Sequence, residues 1–168
     1  PVYLDTETTG LDPVDQVIEI CILDHDGRIL LETLVKPTRP ISPGARRVHG
    51  IGDAVLRGAP SWAEIWPHIQ QTLAGRRVAI FNAEFDMRIM RQSHRAHGLE
   101  WMPAEVESFC VMELYARYNG LWDARRRSFR WVSLEDAGRQ CGIKLPNAHR
   151  AKADALLARA ILEYMAKS

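Results

Sequence analysis

The chain starts apolar, Val2-Tyr3-Leu4, and turns polar at Asp5-Thr6-Glu7. That apolar start predicts a strand over residues 2–7, on which side chains two apart share a face. Val2 and Leu4 lie on one side of it, and Asp5 and Glu7 on the other. The strand runs into Thr8-Thr9-Gly10-Leu11. An apolar run over residues 17–24 predicts a second strand. Asp26-Gly27 is a hairpin turn, and residues 28–35 return as a third strand. Three prolines within residues 36–44 mark a loop, and Gly50 ends a short helix begun near Arg46.

Helical spacing then takes over. Ser61-Trp62-Ala63-Glu64 has the pattern of a capping box. Ile65, Ile69 and Leu73 follow as a core-facing stripe. Pro67 predicts a bend or a later start for this helix, and Gly75 closes it. Residues 76–81 read as a short buried strand. Asn82 is the expected N-cap of a helix over residues 83–97 that ends at Gly98. A weak strand over 105–109 and a helix over 110–118 come next. Ser133 opens a helix that ends near Gly142. Pro146-Asn147 interrupts, and the last helix spans about 150–166. Strands first and helices threaded between later ones predict an α/β domain.

Composition narrows the reading. The 168 residues suit one domain with an insertion around residues 119–131. The net charge of +1 gives no overall basic field, so nucleic-acid affinity has to come from a local cluster. No apolar run reaches membrane-spanning length and no leader precedes the first strand, which predicts no membrane association. Cys21, Cys110 and Cys141 have no paired spacing. They read as reduced core thiols of a cytoplasmic protein, not as zinc ligands or disulfides. The insertion interleaves Arg125, Arg126, Arg127 and Arg130 with Trp122, Phe129 and Trp131. That mixture can grip phosphates and stack on bases. An exposed loop with a solvated charge run has the same composition.

The carboxylates carry the candidate chemistry. Asp5 and Glu7 crowd one strand face, where like charges and burial resist ionisation. A hard divalent cation resolves that conflict. A strand that merely ends in solvated acids shows the same pattern, so the later acids decide. Asp86 shares its helix face with Ile89, Met90, Ser93 and His97. Asp154 shares a stripe with Leu157, Ala158, Ile161 and Met165. An acid on an apolar face needs a cation, a hydrogen-bond partner or water. His149 lies five residues before Asp154, within reach of the same place.

Three segments in order resemble the motifs of the DEDDh 3′–5′ exonucleases. They are Asp5-Thr6-Glu7-Thr8-Thr9-Gly10, Asn82-Ala83-Glu84-Phe85-Asp86, and His149-Arg150-Ala151-Lys152-Ala153-Asp154-Ala155. Val48-His49-Gly50-Ile51 and Ser133-Leu134-Glu135-Asp136 are similar to segments of the branch that includes the proofreading epsilon subunit of DNA polymerase III. Phe81 departs from the histidine frequent at that place, and the insertion is longer and more basic than in that branch.

The resemblance implies a ribonuclease H-like fold: a central mixed five-stranded sheet, its three leading strands antiparallel, flanked by helices. It implies two divalent ions, Mg²⁺ or Mn²⁺, with Asp5 bridging them. Glu7 and Asp154 would help hold the ion that activates water, and Asp86 the other. His149 would be the general base. Thr8, Thr9, Leu11 and Phe85 would surround the 3′-terminal nucleotide, with His49 and Ile51 flanking its base. The implied substrate is single-stranded DNA or a frayed 3′ end, cut to nucleoside 5′-monophosphates. The same motifs serve enzymes that trim RNA or oligoribonucleotides. A module that only binds nucleic acid or a protein, using residues 125–130, is the alternative of another class. Polymerase association has no support from a docking tail after Ser168, and oligomeric state is left open.

Overall fold

The computed structural model describes residues 1–102 and 105–168. Five strands form one sheet: β1 (Val2–Thr8), β2 (Val17–Leu23), β3 (Ile29–Leu34), β4 (Arg77–Ile80) and β5 (Glu107–Cys110). Their order is β3-β2-β1-β4-β5. β1 pairs antiparallel with β2, and β2 antiparallel with β3. β4 joins β1 in parallel, and β5 joins β4 in parallel. The mixed sheet with three leading antiparallel strands is as expected.

Between β3 and β4 lie α1 (Pro43–His49), α2 (Asp53–Leu56) and α3 (Trp62–Leu73). α4 (Ala83–Ala96) follows β4, and α5 (Val111–Asn119) follows β5. A small hairpin, β6 (Trp122–Asp123) with β7 (Ser128–Phe129), leads to α6 (Leu134–Gln140) and α7 (Ala151–Ala166). Among the described residues, no helix is long and apolar enough to cross a membrane.

The alternation in β1 divides the core in two. Val2 and Leu4 pack with α3 and α4 in one cluster. Tyr3, on the other face, packs with α5, α6 and α7. β1 is therefore covered on both sides, and its far end is the one place where polar side chains can gather. Its pairing with β4 extends only over Val2 and Tyr3. Beyond them the β4 side of the strand is open, as at a crevice beyond the carboxyl ends of parallel strands.

Several local expectations are corrected. α1 begins at Pro43, not near Arg46. Ser42 accepts a hydrogen bond from the Ala45 N–H, and Pro43 occupies the first turn, where a missing N–H costs nothing. α3 runs through Pro67 from its Ser61 cap. Pro67 and Ala63, whose carbonyl loses its partner, both lie on the exposed side, so water can replace that bond. The buried stripe of α3 is Trp62, Trp66, Ile69 and Leu73, while Ile65 is only half-buried. Asn82 sits at the N-cap of α4 but makes no side-chain cap. It adopts the left-handed conformation instead, with φ +61°, which asparagine tolerates better than most residues. The insertion is an ordered hairpin, not a bare loop.

The spacing of His94 gives no sign of its surroundings, yet it is buried among Trp62, Trp66 and Trp101. The Trp62 Nε1–H donates to its Nδ1 at 2.9 Å. Trp62→Ala removes a large core side chain and leaves that nitrogen unpaired. We expect a loss of about 3–5 kcal/mol, read as a lower urea midpoint with the slope unchanged.

Candidate active site

The site forms where β1 outruns β4. Asp5 and Glu7 project from one face of β1, and Asp154 comes to them from the first turn of α7. Ligand oxygens of these three lie within 4.8 Å of one another. Asp86 arrives on α4 from the other side of the strand. Its Oδ1 accepts the Thr6 N–H at 3.2 Å and the Thr6 hydroxyl at 2.7 Å. Thr6 uses the side of β1 that β4 has vacated. Asp86 is thus held at the edge of the three-acid group rather than inside it. A register shift between Glu7 and Thr8 interrupts the ladder here, as bulges beside sites often do.

Burial and like charge act together on these acids. Burial raises the Asp5 carboxyl well above the usual range, and Asp86, Asp154 and Glu7 push it further. Burial, then Asp154, Glu19 and Asp86, carry Glu7 up to about 9. Burial lifts Asp86 to about 7 against the two Thr6 hydrogen bonds. Burial lifts Asp154 to about 6 against the charge and backbone N–H of His149. Without a cation the site sheds charge by binding protons.

Asp5 Oδ2 and Asp154 Oδ1 have neither solvent nor a hydrogen-bond partner among the described residues. Buried polar atoms seldom stay unpaired. Orphaned carboxylate oxygens this close suit a hard divalent cation such as Mg²⁺ or Mn²⁺. The residues present therefore fit a metal.

His149 lies on the loop before α7, exposed and in the left-handed conformation at φ +51°. Its neighbours are anchored by a residue outside the expected site, Glu19. This acid on β2 stands directly opposite Glu7. It accepts the Arg150 Nε–H at 3.0 Å and the Ala151 N–H at 2.9 Å. The bond fixes the start of α7, and with it the approach of His149 and Asp154. An acid inside the apolar run of β2 is the signal that could have found it. For Thr6 the sequence carries no such signal.

A cavity of about 440 Å³ adjoins the acids, with Thr6, Glu7, Thr8, Leu11, His49 and Phe85 among its walls. Leu11 is 76% exposed on its rim. Thr9 and Ile51 are not in the wall. The Thr9 hydroxyl donates to Asp15 Oδ1 at 2.6 Å and accepts the Gln16 N–H at 2.9 Å, which locks the loop after β1. A Cβ on Gly10 would come within 2.5 Å of the Asp15 carboxylate, so that close approach needs glycine. Ile51 is buried with Ile18, Ile41 and Leu56. His49 keeps its place in the wall, but both ring nitrogens are engaged. Nδ1 accepts the Ile51 N–H, so the proton is on Nε2, which donates to the Thr8 carbonyl at 3.0 Å. Burial pushes its pKa down, consistent with a neutral ring.

Comparison with known proteins places these features in a family. The RNase_T exonuclease profile matches residues 2–162. An uncharacterized exonuclease, CP81, of Escherichia phage 186 is 37% identical over 171 residues, covering 99% of this chain and 88% of that protein. The PolC-type DNA polymerase III of Thermotoga petrophila is 32% identical over 159 residues, covering 92% of this chain but 11% of the polymerase. Exonuclease X, solved in complex with 5′ overhanging duplex DNA, is 28% identical with a TM-score of 0.73, covering 99% of this chain and 92% of that one. The fold is the ribonuclease H-like fold, shared with a DEDDh nuclease domain among its structural neighbours.

The acids make stability depend on metal and pH together. Glu7 titrates near 9 when folded against an ordinary value of 4.5. Between those values the metal-free folded chain holds more protons than the unfolded chain, so its stability falls as pH rises through that window. A metal that displaces those protons reverses the trend. We expect Mn²⁺ to raise the melting temperature more at pH 8.5 than at pH 6. Asp5→Asn should abolish the metal effect, and Glu7→Gln should make the metal-free decline shallower.

Proposed function

The chain belongs to the exonuclease family of 3′–5′ hydrolases, and we propose that it removes nucleotides from the 3′ end of single-stranded DNA or of frayed DNA ends. The products are nucleoside 5′-monophosphates. The observation that carries the reading is the pair of orphaned oxygens, Asp5 Oδ2 and Asp154 Oδ1. They mark a cation site that opens beside a cavity large enough for a nucleotide.

Divalent ions are general in this family. Two of them, Mg²⁺ or Mn²⁺, would lower the pKa of water and neutralise charge developing on the phosphate and the leaving 3′ oxygen. Asp5 would bridge the pair, Glu7 and Asp154 would hold one member, and Asp86 the other. Thr6 orients Asp86 for that task by fixing one of its oxygens. Asp5, Glu7, Asp86 and Asp154 together offset the charge of the ions.

His149 accepts the proton of the attacking water. Its exposed loop position lets it pass that proton on to solvent. Histidine suits this work because it ordinarily changes charge near neutral pH. Thr8, His49 and Phe85 in the cavity wall bound the terminal nucleotide, and the Phe85 ring is the surface for its base. The His49 ring gives that wall its shape and no hydrogen bond, since both nitrogens are engaged. DNA is favoured over RNA because the Exonuclease X relative, which this chain spans almost end to end, was solved with DNA.

The test uses 5′-labelled DNA and RNA oligonucleotides with Mg²⁺, Mn²⁺ or chelator. We expect a metal-dependent ladder that shortens from the 3′ end, faster on DNA, and absent for Asp5→Ala. A faster ladder on RNA would reassign the sugar. Uncut substrates in every metal would sink the reading. His149→Ala should keep the Mn²⁺ effect on melting but lose on the order of 10²–10⁴ in rate. A His149→Ala variant that keeps the wild-type rate with chemistry limiting would remove His149 from the base role.

A further inference from the structure

The β6–β7 hairpin is a strongly basic segment that the catalytic reading leaves unused. Residues 121–131 contain four arginines and one acid, Asp123. Without them the chain's balance of 22 basic and 21 acidic residues falls to 18 and 20, a net negative body. Residues 121–131 therefore carry a net charge of +3, against −2 for the rest of the chain. Arg125, Arg126, Arg127 and Arg130 are all exposed. Among the described residues only Arg126 has an acidic neighbour, Asp123, at a loose 3.9 Å.

Exposed aromatics stand among these arginines. Trp122 is 59% exposed and Trp131 is 56% exposed. Trp122 packs edge-on against Phe129 at 5.2 Å between centroids, which holds its ring upright. The hairpin and α5 enclose a cavity of about 420 Å³. Its walls are Trp122, Phe129 and Trp131, with Arg117 and Arg127 beside them and one carboxylate, Glu113. Large aromatic faces left in water are costly unless something covers them. Here the covering partner has to be anionic as well as flat.

Position selects the partner further. α5 starts at Val111, directly after β5, and Cys110 at the end of β5 pairs with Ile80 at the end of β4. Both strand ends lie at the edge of the sheet where the acids gather. At 1.5 Å per residue, Arg117 lies about 9 Å along the helix axis from Val111. The start of α5 thus stands at the end of the sheet that holds the acids, and the turns of α5 that follow help line the cavity.

We propose that this hairpin is a second nucleic-acid contact, which binds the single-stranded segment upstream of the terminal nucleotide. Arg125, Arg127 and Arg130 engage phosphates, and bases stack on Trp122 and Trp131. The inference rests on the exonuclease reading for its substrate but uses none of the catalytic residues. Stacking requires unpaired bases, so the site prefers single strands to duplex and tolerates any sequence.

The test separates length from chemistry. Binding is followed by fluorescence anisotropy of labelled oligothymidylates of four and twenty nucleotides in chelator. The proteins are the wild type, an Arg125→Ser/Arg127→Ser/Arg130→Ser triple variant and Trp122→Ala. We expect each variant to bind the 20-mer at least tenfold more weakly and the 4-mer as the wild type does. The salt slope of the 20-mer should fall by about 2 in the triple variant, at about 0.7 for each phosphate that an arginine no longer neutralises. Turnover of the p-nitrophenyl ester of thymidine 5′-phosphate, which is too small to reach the hairpin, should not change. Unchanged 20-mer binding in both variants would overturn the proposal and leave the hairpin as a face for a protein. Duplex bound as tightly as single strands, with no effect of Trp122→Ala, would overturn it too. Should the triple variant fail to fold, Trp122→Ala decides. A wild type that binds by length but turns over nothing would sink the exonuclease reading and leave this one standing.

Discussion

Four carboxylates brought to one end of one strand set the terms for the rest of this molecule. Unit charges within 4.8 Å of one another, as Asp5, Glu7 and Asp154 are, repel by at least about 3–4 kcal/mol per pair at an effective dielectric of about 20. Several such pairs rival the roughly 5–15 kcal/mol that typically holds a whole domain together. The fold can carry the group only if protons or cations cancel most of its charge. The raised carboxyls of Asp5, Glu7, Asp86 and Asp154 are the proton solution. The orphaned oxygens of Asp5 and Asp154 are what that solution leaves undone. The scaffold is firm just where the repulsion acts. β1 is the centre of the sheet, walled by apolar residues on both faces, and cannot yield.

Glu19 shows how much the neighbourhood decides. It stands opposite Glu7 on the adjoining strand and is more buried than Glu7. Yet it meets the Arg150 guanidinium and the Ala151 N–H, so its charge has partners. The same side-chain type, one strand apart, serves once as an anchor and once as a free oxygen donor. Glu19 is buried while Arg150 is half in solvent, so losing Arg150 would leave the buried Glu19 charge with the Ala151 N–H alone. The His149 loop is tied to the sheet through that acid. A loop that carries an exposed side chain in a left-handed conformation gains its definition from that tie.

Much of this is legible in the chain. The apolar start of β1, the hairpin of β2 and β3, and the helical stripes around Asp86 and Asp154 predict the elements and the acids' facing. Those signals are local, and local periodicity survives folding when both faces of a strand are buried as expected. The errors fall where a partner is remote in sequence. Thr9 and Ile51 belong to structural contacts made with Asp15, Gln16, Ile18 and Leu56, and nothing in their own spacing says so. His94 pairs with Trp62, 32 residues away. Helical spacing puts Asp86 on the correct face, but its approach from the opposite side of β1 depends on how far β4 accompanies that strand. That is a property of the sheet, and no single segment records it.

An acidic site has to draw in a polyanion, and this opposition makes sense of where the positive charge went. A uniformly basic surface would attract nucleic acid anywhere and would pair with the very carboxylates that must stay free. Placing a net-basic cluster on the β6–β7 hairpin, an element that carries none of the four acids, avoids both outcomes. At physiological salt the field of an exposed charge fades over about 8 Å, so these arginines act by contact more than by steering from afar. Contact with a flexible strand then needs something that holds position without reading sequence, which a flat aromatic face supplies. The Trp122 ring, braced by Phe129 and left in solvent, has the form that this division of labour requires. The need to cancel charge at the acids and the proposed need to meet phosphate at the hairpin stay apart because they fall on different elements of the fold.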